Sequence, residues 1–166
     1  MPDIKLEDLT ASLLAASAHF NAGRHAEAAA LADQVRQHLP NSPDALHISG
    51  LSRLEMGRTE DALSLLEAAA QAKKSDAGIA NSLALARLAL GQIDEAAKGL
   101  ESLARKGKLP AEGLNTLGDC RLRQGDPVKA RACFEKALKL NPALDAARVN
   151  LGEAFKESGD LQGAIA

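Results

Sequence analysis

The sequence predicts an all-α repeat protein, and three observations predict it. Gly23, Gly57, Gly91, Gly125 and Gly159 are each 34 residues apart. Two columns of small residues keep the same register. Ala28, Ala62, Ala96, Ala130 and Ala164 lie five positions after each glycine, and Ala16, Gly50, Ala84, Gly118 and Gly152 lie seven before it. Aromatic residues make up only 2% of the chain (Phe20, Phe134 and Phe155), while Ala and Leu abound. That composition suits helices packed closely through small side chains and argues against a β-sandwich or barrel. An uninterrupted period of this length marks stacked supersecondary units.

The frame opens near Leu9, after a lead-in over residues 1–8. One domain, 9–166, then runs as copies 9–42, 43–76, 77–110, 111–144 and a partial 145–166, about four and a half repeats. Each copy predicts two apolar-periodic helices of about fourteen residues, with its glycine between them as a C-terminal cap tolerant of positive φ. Copy one closes its second helix at Pro40, because proline cannot continue the hydrogen-bond ladder. Copy two opens with Ser42 as cap and Pro43 at the first helical position. Its closing place holds Lys74, and copy three has Lys108 there, so the stop signal is weaker in both. In copy four Asp126 caps a helix that starts at Pro127, and Pro142 closes it. Within a pair, residues such as Gly118 and Ala130 are expected where the two helices cross most closely. Larger residues fill the next layer: Leu83, Leu117 and Leu151 in first helices, Leu66, Leu100 and Phe134 in second helices. Val35, Ala69, Leu103 and Ala137 follow further along.

The pattern resembles the tetratricopeptide repeat family over roughly residues 9–166. The copy Ala111–Leu144 carries it most fully, with Asn115-Thr116-Leu117-Gly118, Gly125-Asp126, Ala130, Phe134, Ala137 and Asn141-Pro142. Copy five repeats it with Asn150-Leu151-Gly152, Phe155, Gly159-Asp160 and Ala164. The bulky aromatic near the start of the family motif is absent from every copy, where Leu13, Leu46, Ala80, Leu114 and Arg148 stand nearby. The departures predict thinner packing in copies one and three.

The resemblance implies a right-handed superhelical solenoid of antiparallel helix pairs whose first helices line a concave groove. It further implies a protein-interaction scaffold that holds an extended peptide or a helix there. The groove columns carry over to Asp44, His47, Leu51 and Glu55 in copy two and to Asn81 and Leu85 in copy three. Copy four contributes Glu112, Asn115, Asp119, Leu122 and Arg123, and copy five Glu153. Thr10, Leu13, Ser17, Phe20 and Asn21 are the copy-one counterparts. Asn81 and Asn115 are one period apart and can both donate to and accept from a peptide backbone. With Glu157 and Lys156 of copy five, the columns hold six acids against two bases, so the expected ligand has apolar and basic side chains. Members that grip the C-terminal carboxylate of chaperones use Lys and Asn in three successive first helices. The matching places here hold Leu13, Ser17, Asn81 and Asp119, so chaperone-tail binding is not expected.

No enzyme activity, catalytic residue, metal site or cofactor is expected. The four histidines (His19, His25, His38 and His47) form no H-E-x-x-H pair, and the glycines are spaced as repeats rather than clustered as a phosphate loop. Cys120 and Cys133 lack zinc spacing and read as reduced, largely buried thiols. Net charge is −2, which does not suggest a nucleic-acid partner. Lys98, Arg105, Lys106 and Lys108 read as a solvated helix end with cations near the negative dipole terminus. No apolar run is long enough for a bilayer and no signal peptide is read at the N-terminus, so a cytoplasmic location without membrane contact is expected. Leu161 and Ile165 begin an apolar face without a capping helix. The chain is therefore expected to be the N-terminal part of a longer protein, or else to self-associate by burying Leu151, Phe155 and Ile165. The alternative function is a docking arm for a bacterial glycosyl-, sulfo- or methyltransferase that recruits its protein substrate.

Overall fold

Each glycine of the 34-residue column follows the end of a helix. In the computed structural model, which describes residues 5–159, Gly23, Gly57, Gly91, Gly125 and Gly159 take φ between +73° and +77°. An L side chain is strained in that region, and glycine is not. The backbone around them forms paired helix-ending bonds. Gly23 N–H donates to Phe20 C=O at 2.9 Å and Arg24 N–H to His19 C=O at 2.9 Å, satisfying carbonyls the helix leaves open. The same pair recurs at Gly57/Arg58, Gly91/Gln92 and Gly125/Asp126.

Nine helices and no strand occur among the described residues. They are α1 Leu6–Asn21, α2 His25–His38, α3 Pro43–Glu55, α4 Thr59–Ala72, α5 Ala77–Ala89, α6 Ile93–Arg105, α7 Ala111–Arg123, α8 Pro127–Leu140 and α9 Asp145–Glu157. None is long and apolar enough to cross a membrane. The predicted caps are in place: Ala45 N–H donates to Ser42 Oγ at 3.4 Å, and Lys129 N–H to Asp126 Oδ1 at 3.0 Å. Two boundaries differ from the sequence reading. α1 starts at Leu6, inside the expected lead-in, with Glu7 and Asp8 in its first turn where the helix dipole favours acids. α6 stops at Arg105 through a glycine outside the column, Gly107 at φ +65°, rather than near Lys108. The second helix expected in copy five, with Ala164, lies outside the described residues, as do Leu161 and Ile165.

The chain divides into two compact units, Met1–Ala86 and Arg87–Ala166, with the boundary inside α5. In the first unit, α1 packs on α2 and α3, and α3 on α4. Its core is a series of small clusters: Leu9, Val35 and Ala45; Leu46, Ala69 and Ile79; Ala62, Leu66 and Ala86. Gly50 makes the close crossing of α3 and α4. A Cβ there would stand 2.8 Å from Leu66 Cγ. In the second unit, α7 packs on α8, and α8 on α9, around Ala130, Phe134 and Ala154. Gly118 faces the Phe134 ring, and a Cβ would meet Cδ1 and Cζ at 2.7 Å.

An ion pair joins successive repeats within each unit. In the first, Arg53 on α3 donates to Asp33 on α2 at 2.6 Å, Ser49 Oγ donates to Asp33 at 2.7 Å, and Arg36 adds a third bond at 2.9 Å. In the second, Arg121 on α7 pairs with Glu101 on α6. Asp33 and Glu101 are 68 residues apart, two periods, and so are Arg53 and Arg121. Burial alone would raise the Asp33 carboxyl. The hydrogen bonds from Arg53 and Ser49, helped by the Arg53 charge, hold it below its ordinary value.

A carboxylate with a depressed native pKa contributes stability above its unfolded pKa and loses it as pH falls through the native one. Asp33→Asn is therefore expected to cost about 1 kcal/mol at neutral pH, a figure reduced for the third of the side chain open to solvent. The difference from wild type should shrink as the pH drops below the model-peptide value of 3.8. Urea midpoints across that range measure it, and a gap independent of pH would exclude the charged contacts as its source.

Candidate functional site

The first helices of the repeats carry every residue assigned to the groove. Asp44, His47, Leu51 and Glu55 are on α3, Asn81 and Leu85 on α5, Glu112 to Arg123 on α7, and Glu153 on α9. In the first unit α1 and α3 enclose a cleft of about 400 Å³. Thr10, Leu13, Leu14 and Ser17 form one wall, and Asp44, His47 and Ile48 the other. Leu14 is 69% exposed, so the cleft presents a large aliphatic surface to solvent.

His47 is fixed at the base of that wall. Its Nε2 shares a 2.8 Å hydrogen bond with Ser82 Oγ on α5, and Ser82 in turn donates to Gly78 C=O. Burial pushes the imidazole pKa down, against the opposing pull of Asp76 and Asp44. The ring is thus neutral at pH 7 and offers hydrogen bonding rather than charge. Asp44 is less free than the sequence suggests. Lys73 Nζ lies 4.0 Å from it while bonding Asp76 at 2.9 Å, so a cation from α4's end offsets the acidic cleft. Leu51 is half-buried and Glu55 exposed, one and two turns along α3 from His47. Asn81 is half-buried, and its Oδ1 is buried without a hydrogen-bond partner; Leu85 is exposed.

In the second unit Asn115 Oδ1 accepts from Asn150 Nδ2 at 3.0 Å, so part of its bonding capacity ties α7 to α9. Arg123 Nε donates to Asp119 Oδ1 at 3.1 Å, which pairs one groove acid with one groove base along α7. Glu112 and Glu153 are exposed. Leu122 packs against the Phe134 cluster instead of standing open to solvent.

Sequence reasoning missed Ser82 and Asn150. Both stand 35 residues after their partners (47 to 82, 115 to 150), one beyond the period, and that offset was the available signal. Ile48 and Leu14 were also missed.

Among the described residues no group of three His, Cys, Asp or Glu side chains is placed to hold a metal ion. His19 accepts from Arg24 at 3.0 Å, and His25 meets the Phe20 ring edge-on. Cys120 and Cys133 are free thiols. Burial, reinforced by Asp119, pushes the Cys120 pKa up to about 12, so the group stays a protonated, unreactive thiol.

Comparison with known proteins gives concordant matches. The family model described as tetratricopeptide repeat matches residues 111–144. The model described as anaphase-promoting complex, cyclosome, subunit 3 matches residues 21–103, half of the chain. No curated protein sequence matches. Among solved structures, a thermophilic TPR protein of Thermus thermophilus superposes with a TM-score of 0.82 at 22% identity, covering 95% of this chain and 86% of that one. MamA protein gives 0.76 at 20% identity, over 96% and 87%. The pilF protein of Pseudomonas aeruginosa gives 0.85 at 17% identity, over 96% and 72%. At these identities the likeness establishes the fold.

Proposed function

Because the chain belongs to the tetratricopeptide repeat family, we propose that it is a protein-interaction scaffold whose first-helix faces hold an extended peptide or a helix of a partner protein. The cleft between α1 and α3 carries this reading. It pairs an aliphatic side chain on each wall, exposed Leu14 and half-buried Ile48, with neutral hydrogen-bonding groups at Thr10, Ser17 and His47. That mixture is what a peptide backbone with apolar side chains requires. Asp44 gives the cleft a carboxylate that Lys73 only partly offsets, which favours basic side chains over acidic ones. In the second unit Asn115 keeps its Nδ2 group for a ligand, while its Oδ1 serves the helix contact. Glu112 and Glu153 add exposed carboxylates of the same sign.

The test is fluorescence anisotropy with a labelled pool of short peptides that alternate basic and aliphatic side chains. Leu14→Glu and Asp44→Lys change exposed positions and should leave the fold intact. Each is expected to weaken binding about tenfold, the size of a contact at the centre of an interface. Binding that neither substitution alters would remove the α1–α3 cleft as the site.

A further inference from the structure

The connection from α6 to α7 departs from the repeat. Copies one and four close their second helices with Pro40 and Pro142, whereas copy three ends α6 early and turns at Gly107. The chain then folds Leu109 inward until it is only 5% exposed. Leu109 sits against Gly113, where a Cβ would lie 2.5 Å from its Cδ1 and 2.8 Å from its Cγ. The equivalent positions in other copies, Ala45, Ile79 and Ala147, carry side chains that would forbid this approach. Copy three and copy four are therefore matched to each other at this point in a way the other copies are not.

At this point the second unit has a cleft of about 290 Å³. Its floor is apolar, made by Ala104, Leu109 and Leu114. Leu140 lines it from α8 and is 63% exposed, a large aliphatic side chain left open beside an apolar floor. Lys136 and Lys139 are the charged residues of the lining, and no carboxylate is among them. Lys106 and Lys108, on either side of the lining residue Gly107 in sequence, are both exposed.

We propose that this cleft docks an acidic peptide segment of a partner protein, one that carries a large apolar side chain. The apolar side chain enters over Leu109 and Leu114 and covers Leu140. The segment's carboxylates meet Lys136 and Lys139. Exposed ion pairs contribute little each, so the apolar anchor sets affinity while the lysines select the sign of the partner and speed its approach. This surface differs in charge from the α1–α3 cleft and lies in the other unit, so the two docking readings stand or fall separately.

The experiment measures anisotropy of the whole chain with a fluorescein-labelled peptide, a central Leu-Phe pair flanked by glutamates. One comparison peptide replaces the glutamates with lysines, and another replaces the Leu-Phe pair with serines. The acidic apolar probe is expected to bind at least about tenfold more tightly than either comparison peptide, and more weakly as salt rises. The double substitution Lys136→Glu/Lys139→Glu changes two exposed side chains. It should reduce binding about tenfold with an unaltered helical circular dichroism spectrum, and Leu140→Ser should reduce it too. Equal binding of the lysine-flanked peptide would overturn the proposal, as would indifference to the charge reversal. So would binding to phosphatidylglycerol vesicles without binding to the peptide. A doubled mass by light scattering that Leu140→Ser abolishes would place a second copy in the cleft and overturn it as well.

Discussion

Phe134→Ala is expected to lower stability by about 3–5 kcal/mol, the usual range for removing a buried phenylalanine. The upper half of that range applies here for a local reason. Phe134 has no exposed surface, and the positions closest to it are Ala130, Ala154 and the glycine Gly118. None of the three has a side chain long enough to reach into the space left by the ring. Leu122 and Leu151 can shift toward it only from the edge of the cluster. With three phenylalanines and no Trp or Tyr in the chain, aromatic bulk to repack the space is scarce. Repeat arrays distribute stability through nearest-neighbour contacts, so the loss should be regional. Amide exchange should accelerate in α7, α8 and α9 while α1 to α4 keep their protection, and the urea midpoint of the second unit should fall. A loss below about 1 kcal/mol would mean that the small-residue layer closes over the cavity, contrary to the geometry.

The fold was legible because its period is enforced by sterics that act on single residue types. Gly57 and Gly125 must take positive φ, so they stay glycine, and the paired bonds they make end α3 and α7 at predictable places. Ser42 and Asp126 announce helix starts through a hydrogen bond that only a short polar side chain makes. Where the cause of an ending is not periodic, the reading slipped. Gly107 is off the column, and its role depends on Leu109 finding room at Gly113, a tertiary fact. The ion pairs were visible as recurring acids and arginines, Asp33 and Glu101 with Arg53 and Arg121, yet only the helix packing shows that they face each other across a repeat boundary.

The candidate site was legible as a set of helix faces and less so as a set of available groups. Period and family assign residues to the first helices. They do not say which of those side chains are already occupied. Lys73 lies outside the groove columns in sequence but reaches Asp44 and Asp76 from the end of α4. Arg123 turns back along its own helix to Asp119, an i,i+4 geometry that competes with a ligand for both charges. Leu122 follows Phe134 toward the core because the fully buried ring of the second unit stands there. The acidic character inferred from counting columns is therefore weaker in space, and the apolar side chains Leu14 and Ile48 on the two facing walls carry more of the α1–α3 cleft.

Gly118→Leu is expected to cost about 3 kcal/mol, at the upper end of what overpacking a core produces. The reasoning turns on what can yield. Even a single added carbon would lie 2.7 Å from two ring atoms of Phe134, well inside contact distance. That ring is rigid and fully buried, so relief requires α7 and α8 to separate. Gly118→Ala faces the same obstacle with a smaller group, and its gain in helix propensity of about 1 kcal/mol offsets only part of the strain. Gly50→Ala should cost less. Its nearest atoms belong to Leu66, a flexible aliphatic chain that can shift by rotation. Gly99 supplies the reference within the second unit. It sits inside α6 with nothing within 4 Å of an added Cβ, so Gly99→Ala should stabilise by about 0.5–1 kcal/mol. Pairing Gly118→Ala with Phe134→Leu replaces the unyielding ring by a side chain that can rotate, and should recover at least about 1 kcal/mol relative to the sum of the two single changes. Additive behaviour in that double-mutant cycle would show that the glycine is present for some reason other than the approach of the ring.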